Sequence, residues 1–344
     1  MRKVIALSSN DWHLKRTNIN DIIELVRQQC QLAKLNGLDE IICLGDVFES
    51  RISQRMDVLI GFYQILEVCK YEGVKLICIP GNHDKTDYTI EESFLKPFCV
   101  HPNFFLIEDY EILQRGDYRF HFIPYFAEDT TYQSYLNSVK YSGADVLFSH
   151  IAVQGSRNND GTLIDNQLTL QLFKRFNSVF LGHYHNYQQI GSHIYHLPSL
   201  MQDNFGEDAN KGYTLIYDDL DFEIIHSKTK TYESLHIDLN RMNIQDINQM
   251  IAECDMQKAY YRIILNGTKE QMKSIDIQSL KEKGFVIKSK EKDIEISVDA
   301  VQEIKIVKYD MDHIVQLFKT ICEERTWNFE QGMKFLSTII NDAS

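Results

Sequence analysis

The chain is short of proline, of paired cysteines, of long apolar runs and of positive charge, and each shortage excludes something. Only five prolines, with no repeat and no low-complexity tract in 344 residues, exclude a repeat array or a long flexible linker. No apolar run approaches the length of a membrane-spanning helix, and Met1-Arg2-Lys3-Val4-Ile5-Ala6-Leu7 reads as a first strand rather than a signal peptide. Seven cysteines, an odd number without a Cys-x-x-Cys pair, argue against a disulfide scaffold and point to reduced thiols in a cytoplasmic setting. Cys43 and Cys78 sit inside apolar runs and read as small buried hydrophobes. The 36 basic side chains face 49 acidic ones, and a net charge of −13 weighs against recognition of nucleic acid through overall charge. The deficit is uneven. Residues 1–227 carry 19 basic and 30 acidic groups and residues 293–344 carry 5 and 10, whereas residues 228–292 carry 12 and 9.

What remains is an ordinary globular composition, 44% apolar and 25% charged, in a chain long enough to bury a sizeable core and to divide into more than one unit. Five short polar motifs follow one another along it. They are Asp11-Trp12-His13, Gly45-Asp46, Gly81-Asn82-His83-Asp84, Ser149-His150 and Gly182-His183-Tyr184-His185. Any one could arise by chance, but each stands at or just past the end of a short apolar run: Val4–Leu7, Ile41–Leu44, Val74–Ile79, Val146–Phe148 and Val179–Leu181. Such runs read as buried parallel strands. Helical patterns fill the first two intervals, with Ile22, Ile23, Val26, Cys30 and Ala33 on one face, then Val58, Leu59, Phe62, Ile65, Leu66 and Cys69. Strand–helix–strand units wind right-handed and share one carboxyl edge, where α/β folds place ligands. All five motifs are therefore expected to converge.

Polar clusters that interrupt apolar strand ends are costly unless a metal or substrate satisfies them. The oxygen and nitrogen donors assembled here suit manganese, iron or zinc in an open site, whereas structural zinc favours cysteines and calcium favours oxygens alone. His101, His121, His193, His196, His226, His236 and His313 belong to no motif and are read as structural.

The motifs resemble the D-x-H, G-D, G-N-H-D, H and G-H-x-H pattern of the calcineurin-like metallophosphoesterase superfamily. The stretch Pro198-Ser199, Asn204-Phe205-Gly206-Glu207 and Lys211-Gly212-Tyr213 further resembles SbcD-type nuclease subunits of double-strand-break repair, in their phage recombination-endonuclease branch. The resemblance implies an α/β fold, a metallophosphoesterase β-sandwich flanked by helices. It implies one metal on Asp11, His13, Asp46 and His185 and a second on Asp46, Asn82, His150 and His183, with Asp46 bridging. His83 would be a catalytic non-ligand, oriented by Asp84. Two divalent ions, manganese by preference, would clamp an in-line displacement at phosphorus. His83 would serve the leaving oxygen, histidine being the residue type whose unperturbed pKa, about 6.5, suits proton transfer at neutral pH. The implied activity is exonuclease or endonuclease cleavage of DNA by a homodimer acting with an SbcC-type SMC-like ATPase. Three positions depart from the pattern: Glu49 where family nucleases often carry His, Lys15 where Gly is common, and Leu197-Pro198-Ser199 in place of Gly-Ser-Pro.

The resemblance assigns residues 1–230 to the nuclease domain and residues 231–305, a small α+β unit, to a capping domain that would contact DNA. Within it, strands are expected at Leu235–Leu239, Tyr260–Leu265, Phe285–Lys288 and Ile294–Val298, with helices at 244–251 and 269–283. Lys269, Lys273, Lys281, Lys283, Lys288, Lys290 and Lys292 are either phosphate contacts or a solvated face. Residues 306–344 are expected to form a helical tail. Two apolar stripes there, Ile314, Leu317, Phe318, Ile321 and then Trp327, Phe329, Met333, Leu336, Ile340, either pack on their own domain or, as the resemblance implies, bind the ATPase partner. Two readings compete with the nuclease: a phosphoesterase for a small ester or cyclic nucleotide, and a non-catalytic scaffold for the ATPase. Gly45-Asp46 continues as Val-Phe-Glu-Ser-Arg rather than Asp-Arg-Gly, against a protein phosphatase.

Overall fold

Two strand–helix–strand units in succession build the first sheet. In a computed structural model that describes residues 2–86, 92–158, 161–291 and Lys319, β1 (Val4–Ser9), β2 (Glu40–Cys43) and β3 (Lys75–Cys78) run parallel. Helices α1 (Ile19–Leu35) and α2 (Met56–Tyr71) connect them. Apolar side chains at three- and four-residue spacing give each helix one buried stripe, Ile22, Leu25, Val26, Cys30 and Ala33 in α1 and Val58, Phe62, Ile65, Leu66 and Cys69 in α2. Both stripes pack on one face of the sheet with Trp12, Phe48 and Leu95. β4 (Phe104–Leu106) extends the sheet beyond β3 in parallel. Their pairing leaves β1 flanked on its other side by an antiparallel strand described below.

The second sheet begins with the hairpin β5 (Glu111–Arg115) and β6 (Tyr118–Ile123) and passes through α3 (Asp129–Ser138) to β7 (Asp145–His150). After α4 (Leu170–Phe173) come β8 (Ser178–Gly182), β9 (Gln188–Ile190) and β10 (Ile194–His196), giving the order β5-β6-β7-β8-β10-β9. The chain then returns to the first sheet as β11 (Gly212–Tyr217) and β12 (Phe222–His226), completing the order β12-β11-β1-β2-β3-β4. Ala6, Ile42, Leu44, Ile77 and Ile79 of the first sheet meet Phe120, Phe122, Val146, Phe148 and Phe180 of the second in a dry layer. Each of these side chains other than Ala6 contributes roughly 1.5–3 kcal/mol by leaving water. α3 and α4 cover the outer face of the second sheet, so the layers run helix, sheet, sheet, helix. The fold is α/β, a sandwich flanked by helices, as expected.

A third sheet follows. β13 (Thr231–Asp238), β14 (Ala259–Gly267) and β15 (Val286–Glu291) are parallel, joined by α5 (Ile244–Ala252) and by α6 (Lys269–Met272) with α7 (Ile277–Glu282). The helix expected over 269–283 is interrupted because Ile275 is drawn into the core and Asp276 caps a new helix, its carboxylate accepting from the Ser279 amide. The strand expected at Ile294–Val298 and the tail over 306–344 lie outside the described residues, apart from Lys319.

Candidate metal centre

The ends of β1, β2, β3, β7 and β8 carry the five motifs, so the ordering of strands brings them to one edge of the sandwich. Their backbones are bent to fit. Asp11, His13, Asp46 and His183 all adopt positive φ, at 49°, 43°, 52° and 90°. For non-glycine residues this costs on the order of 1 kcal/mol or more each, and such strain persists where the surroundings hold it for function. Two hydrogen bonds tie the first two loops together, from the Asp11 amide to the Gly45 carbonyl and from the His13 amide to the Asp46 carbonyl, both 3.0 Å. Gly45 and Gly81 meet back to back. A Cβ on Gly45 would lie 2.6 Å from the Gly81 amide nitrogen, and one on Gly81 would run into the Asp46 carboxylate. No larger residue fits either place.

The donors fall into two groups about one carboxylate. His13 Nε2 and His185 Nε2 are 3.0 Å apart, and donor atoms of Asp11, His13 and His185 lie within 4.8 Å of one another. Opposite them, Asn82 Oδ1 is 3.1 Å from His150 Nε2 and 2.9 Å from His183 Nδ1. Asp46 Oδ2 stands between the groups, 3.7 Å from His13 Nε2 and 3.4 Å from His150 Nε2. Separations of about 3.0–3.4 Å are the edges expected between ligands bonded to one ion at about 2.1 Å. The surroundings fix the tautomers. His150 Nδ1–H donates to the Leu44 carbonyl at 2.7 Å, and His185 Nδ1–H donates to Glu207 Oε1 at 2.7 Å, so each turns its Nε2 inward. Asp11 accepts from the Asn10 side chain and the His183 amide. The residues present therefore fit two divalent ions sharing Asp46.

Charge and burial act against each other here. Burial pulls His183 down to about 3 and His13 well below the usual histidine range, aided by neighbouring histidines. Burial would also lower His150, but Asp46 overrides it and raises the imidazole to about 9. Asp46 in turn is held below the ordinary carboxylate range, because His150 and His13 outweigh its burial.

His83 stands at the mouth and differs from the other histidines. Its Nδ1–H donates to the Glu49 carbonyl at 2.6 Å, and its Nε2 accepts from the Arg51 guanidinium at 2.6 Å. Its Nε2 lies 4.0 Å from Asp46 Oδ2, and His83 groups with His13 and Asp46 as donors within 4.8 Å of one another, but that nitrogen faces a guanidinium, a cation that opposes a metal there. Asp84 does not have the expected role of orienting it. The turn Asn82–Asp84 points the two side chains apart, and the buried Asp84 carboxylate accepts from the amides of Val47, Phe48 and Gly81 at 3.2, 3.0 and 2.9 Å. Burial and the charge of Asp46 push Asp84 up to about 7 against those three donors.

Glu207 and Arg51 are site residues that were quoted in the sequence without a role, and Asn10 was not singled out. Lys211 is a further one: its buried ammonium donates to the His185 carbonyl at 2.6 Å and Asn186 Oδ1 at 2.7 Å, fixing the loop that carries the last motif. The departures at positions 15 and 49 turn out to be partners. Lys15 Nζ meets Glu49 Oε1 at 3.0 Å and also pairs with Asp203. The cavity at the centre holds about 220 Å³ and is lined by Asp46, Arg51, Asn82, His83, Asn158 and His183–His185.

Residues 7–226 match the family model for calcineurin-like phosphoesterases. No curated protein matches the chain. Solved structures similar to it include a dimetal phosphatase from Danio rerio, at 11% identity and a TM-score of 0.40 over 62% of this chain and 93% of that one. Another is the Pseudomonas putida nuclease MPE, at 14% identity and a TM-score of 0.27 over 57% and 68%. Over nearly two thirds of its length, from its first strand through the strand that closes the first sheet, this chain belongs to the calcineurin-like phosphoesterase family.

Proposed function

We propose that this metallophosphoesterase is a two-metal DNA nuclease, an exonuclease, endonuclease or both, that works in DNA break repair or recombination. The observation that carries the reading is the paired donor set about Asp46 with His83 at its open mouth, a residue we read as a non-ligand. Two divalent ions held by Asp11, His13, Asp46, Asn82, His150, His183 and His185 would supply positive charge at phosphorus and a nucleophile near neutral pH. Everything else falls to the protein. Glu207 and Leu44 hold His185 and His150 in the tautomers that bind metal. The Glu49 carbonyl at Nδ1 fixes the ring of His83, the office expected of Asp84, so that Nε2 would face the leaving oxygen. Arg51, which only donates, would move to a non-bridging phosphate oxygen and leave His83 Nε2 to the substrate.

The cavity supports a polymer substrate. At about 220 Å³ it is smaller than the roughly 300–1,000 Å³ usual for pockets that enclose a whole small ligand, which favours a substrate that extends beyond it. An SbcC-type ATPase partner, a homodimer and a capping role for residues 231–305 belong to the same proposal, as does manganese as the working metal. The net charge of −13 favours the second reading, a small phosphate ester. Digestion of circular single-stranded and linear duplex DNA with manganese, beside bis(p-nitrophenyl) phosphate, separates them. Cleavage of DNA that is lost in His83→Ala supports the nuclease. Ester hydrolysis without DNA cleavage, with and without the ATPase, supports the small substrate.

A further inference from the structure

We propose that the helix-free face of the third sheet is a stacking surface for single-stranded DNA that leads away from the metal centre. The inference rests on the nuclease reading. Side chains alternate along β14: Tyr261, Ile263 and Leu265 pack under α5 and α7 with Ile237, Ile247 and Leu280, so Tyr260 and Arg262 point to the other side. The parallel register sets Tyr232 beside Tyr260, Ser234 beside Arg262 and Lys288 beside Ile264 on that side. No helix among the described residues covers it.

The face carries an aromatic ladder with cations on it. The rings of Tyr232 and Tyr260 are 4.9 Å apart, and Phe205 meets Tyr232 edge-on at 5.0 Å. Lys230 Nζ lies 4.3 Å over the Tyr260 ring, and the Arg262 guanidinium lies 4.8 Å over Phe205. Tyr260, at the outer end, is 42% exposed. At the inner end the ladder joins the catalytic edge. Phe205 belongs to the loop in which Glu207 holds His185 and Asp203 holds Lys15, and Gln202 hydrogen-bonds both backbone groups of Tyr232. Lys230 now lies on the Tyr260 ring, and its move to a phosphate would free that ring for a base, the pairing of stacked bases and held phosphates by which single strands bind. Lys230, Arg262 and Lys288 supply the complementary charge in a chain that is acidic elsewhere, and Asp238 marks the far end of the face. A small joint between two domains would need neither the exposed outer ring nor the lysine upon it.

The test is fluorescence anisotropy of the full-length protein with a labelled oligothymidylate in EDTA, with thermal unfolding of each variant alongside. Tyr260→Ala should weaken binding by roughly 5- to 100-fold, and Tyr260→Trp should keep it. Lys288→Gln should lower the slope of log affinity against log salt by about 0.7. Equal affinity of wild type and a folded Tyr260→Ala would overturn the stacking surface while leaving the nuclease reading intact. A wild type that hydrolyses bis(p-nitrophenyl) phosphate but neither binds nor cuts DNA would overturn both.

Discussion

At the scale of single residues, the centre depends on groups that would touch no metal. Glu207 fixes the tautomer of His185 from a loop 22 residues further on. Replacing it with Gln removes the charge while keeping the shape, and manganese affinity should fall about 10- to 100-fold, as for other partners of metal-bound histidines. Titration of the metal-free protein followed by isothermal calorimetry measures it. His83→Ala is expected to do the reverse, holding its metal while phosphodiester hydrolysis falls about 10²- to 10⁴-fold. Asp11, His13, Asp46, Asn82, His150, His183 and His185 were legible in the sequence because each follows an apolar run that could only be a buried strand. Glu207 was not, since nothing local marks a carboxylate whose partner is reached through the fold. Asp84 was misread for the converse reason: adjacency to His83 suggested a pair, but a tight turn sends neighbouring side chains in different directions. Lys15 and Glu49 looked like two separate departures from the family pattern, and only the meeting of their loops shows that they form an ion pair.

Among elements, the loop after β2 and the turn after β3 act as one piece, joined by Asp84. Asp84→Ala leaves three buried amides without an acceptor, so a loss of roughly 3–5 kcal/mol in stability is expected by urea unfolding. A variant with normal stability and no activity would restore the catalytic role instead. A second buried carboxylate ties β6 to β7. Burial alone would raise Asp145, but hydrogen bonds from His121, the Ser142 amide and Arg119 hold it below the usual carboxylate range. A depressed folded pKa stabilises above the unfolded value and is lost in acid. The urea midpoint of the wild type should therefore fall as pH drops below about 4, and Asp145→Asn should flatten that fall. The helices and strands with strong periodicity, α1, α2 and the motif strands, were plain from the sequence. Short strands such as β4, β9 and β10, three residues each, carry too little pattern to announce themselves.

For the whole molecule, the fold divides labour between a sandwich that gathers ligands at one edge and a smaller sheet that presents rings and cations beside it. The convergence of five motifs followed from strand order alone, and the existence of two sheets rather than one changes nothing in that argument, because both offer their carboxyl ends to the same edge. The face of the third sheet that no described helix covers was hidden from the sequence. Its tyrosines lie 28 residues apart, on strands whose register only the structure shows.

The central claim is that the motif residues form a two-metal centre in which His83 takes no part as a ligand. Manganese bound per chain, measured by mass spectrometry after equilibrium dialysis of full-length wild type, His83→Ala and Asp46→Ala, tests it most directly. The account predicts two ions in the wild type, two in His83→Ala, and fewer than two in Asp46→Ala. A wild type that retains none, or a His83→Ala protein that loses an ion, would contradict it.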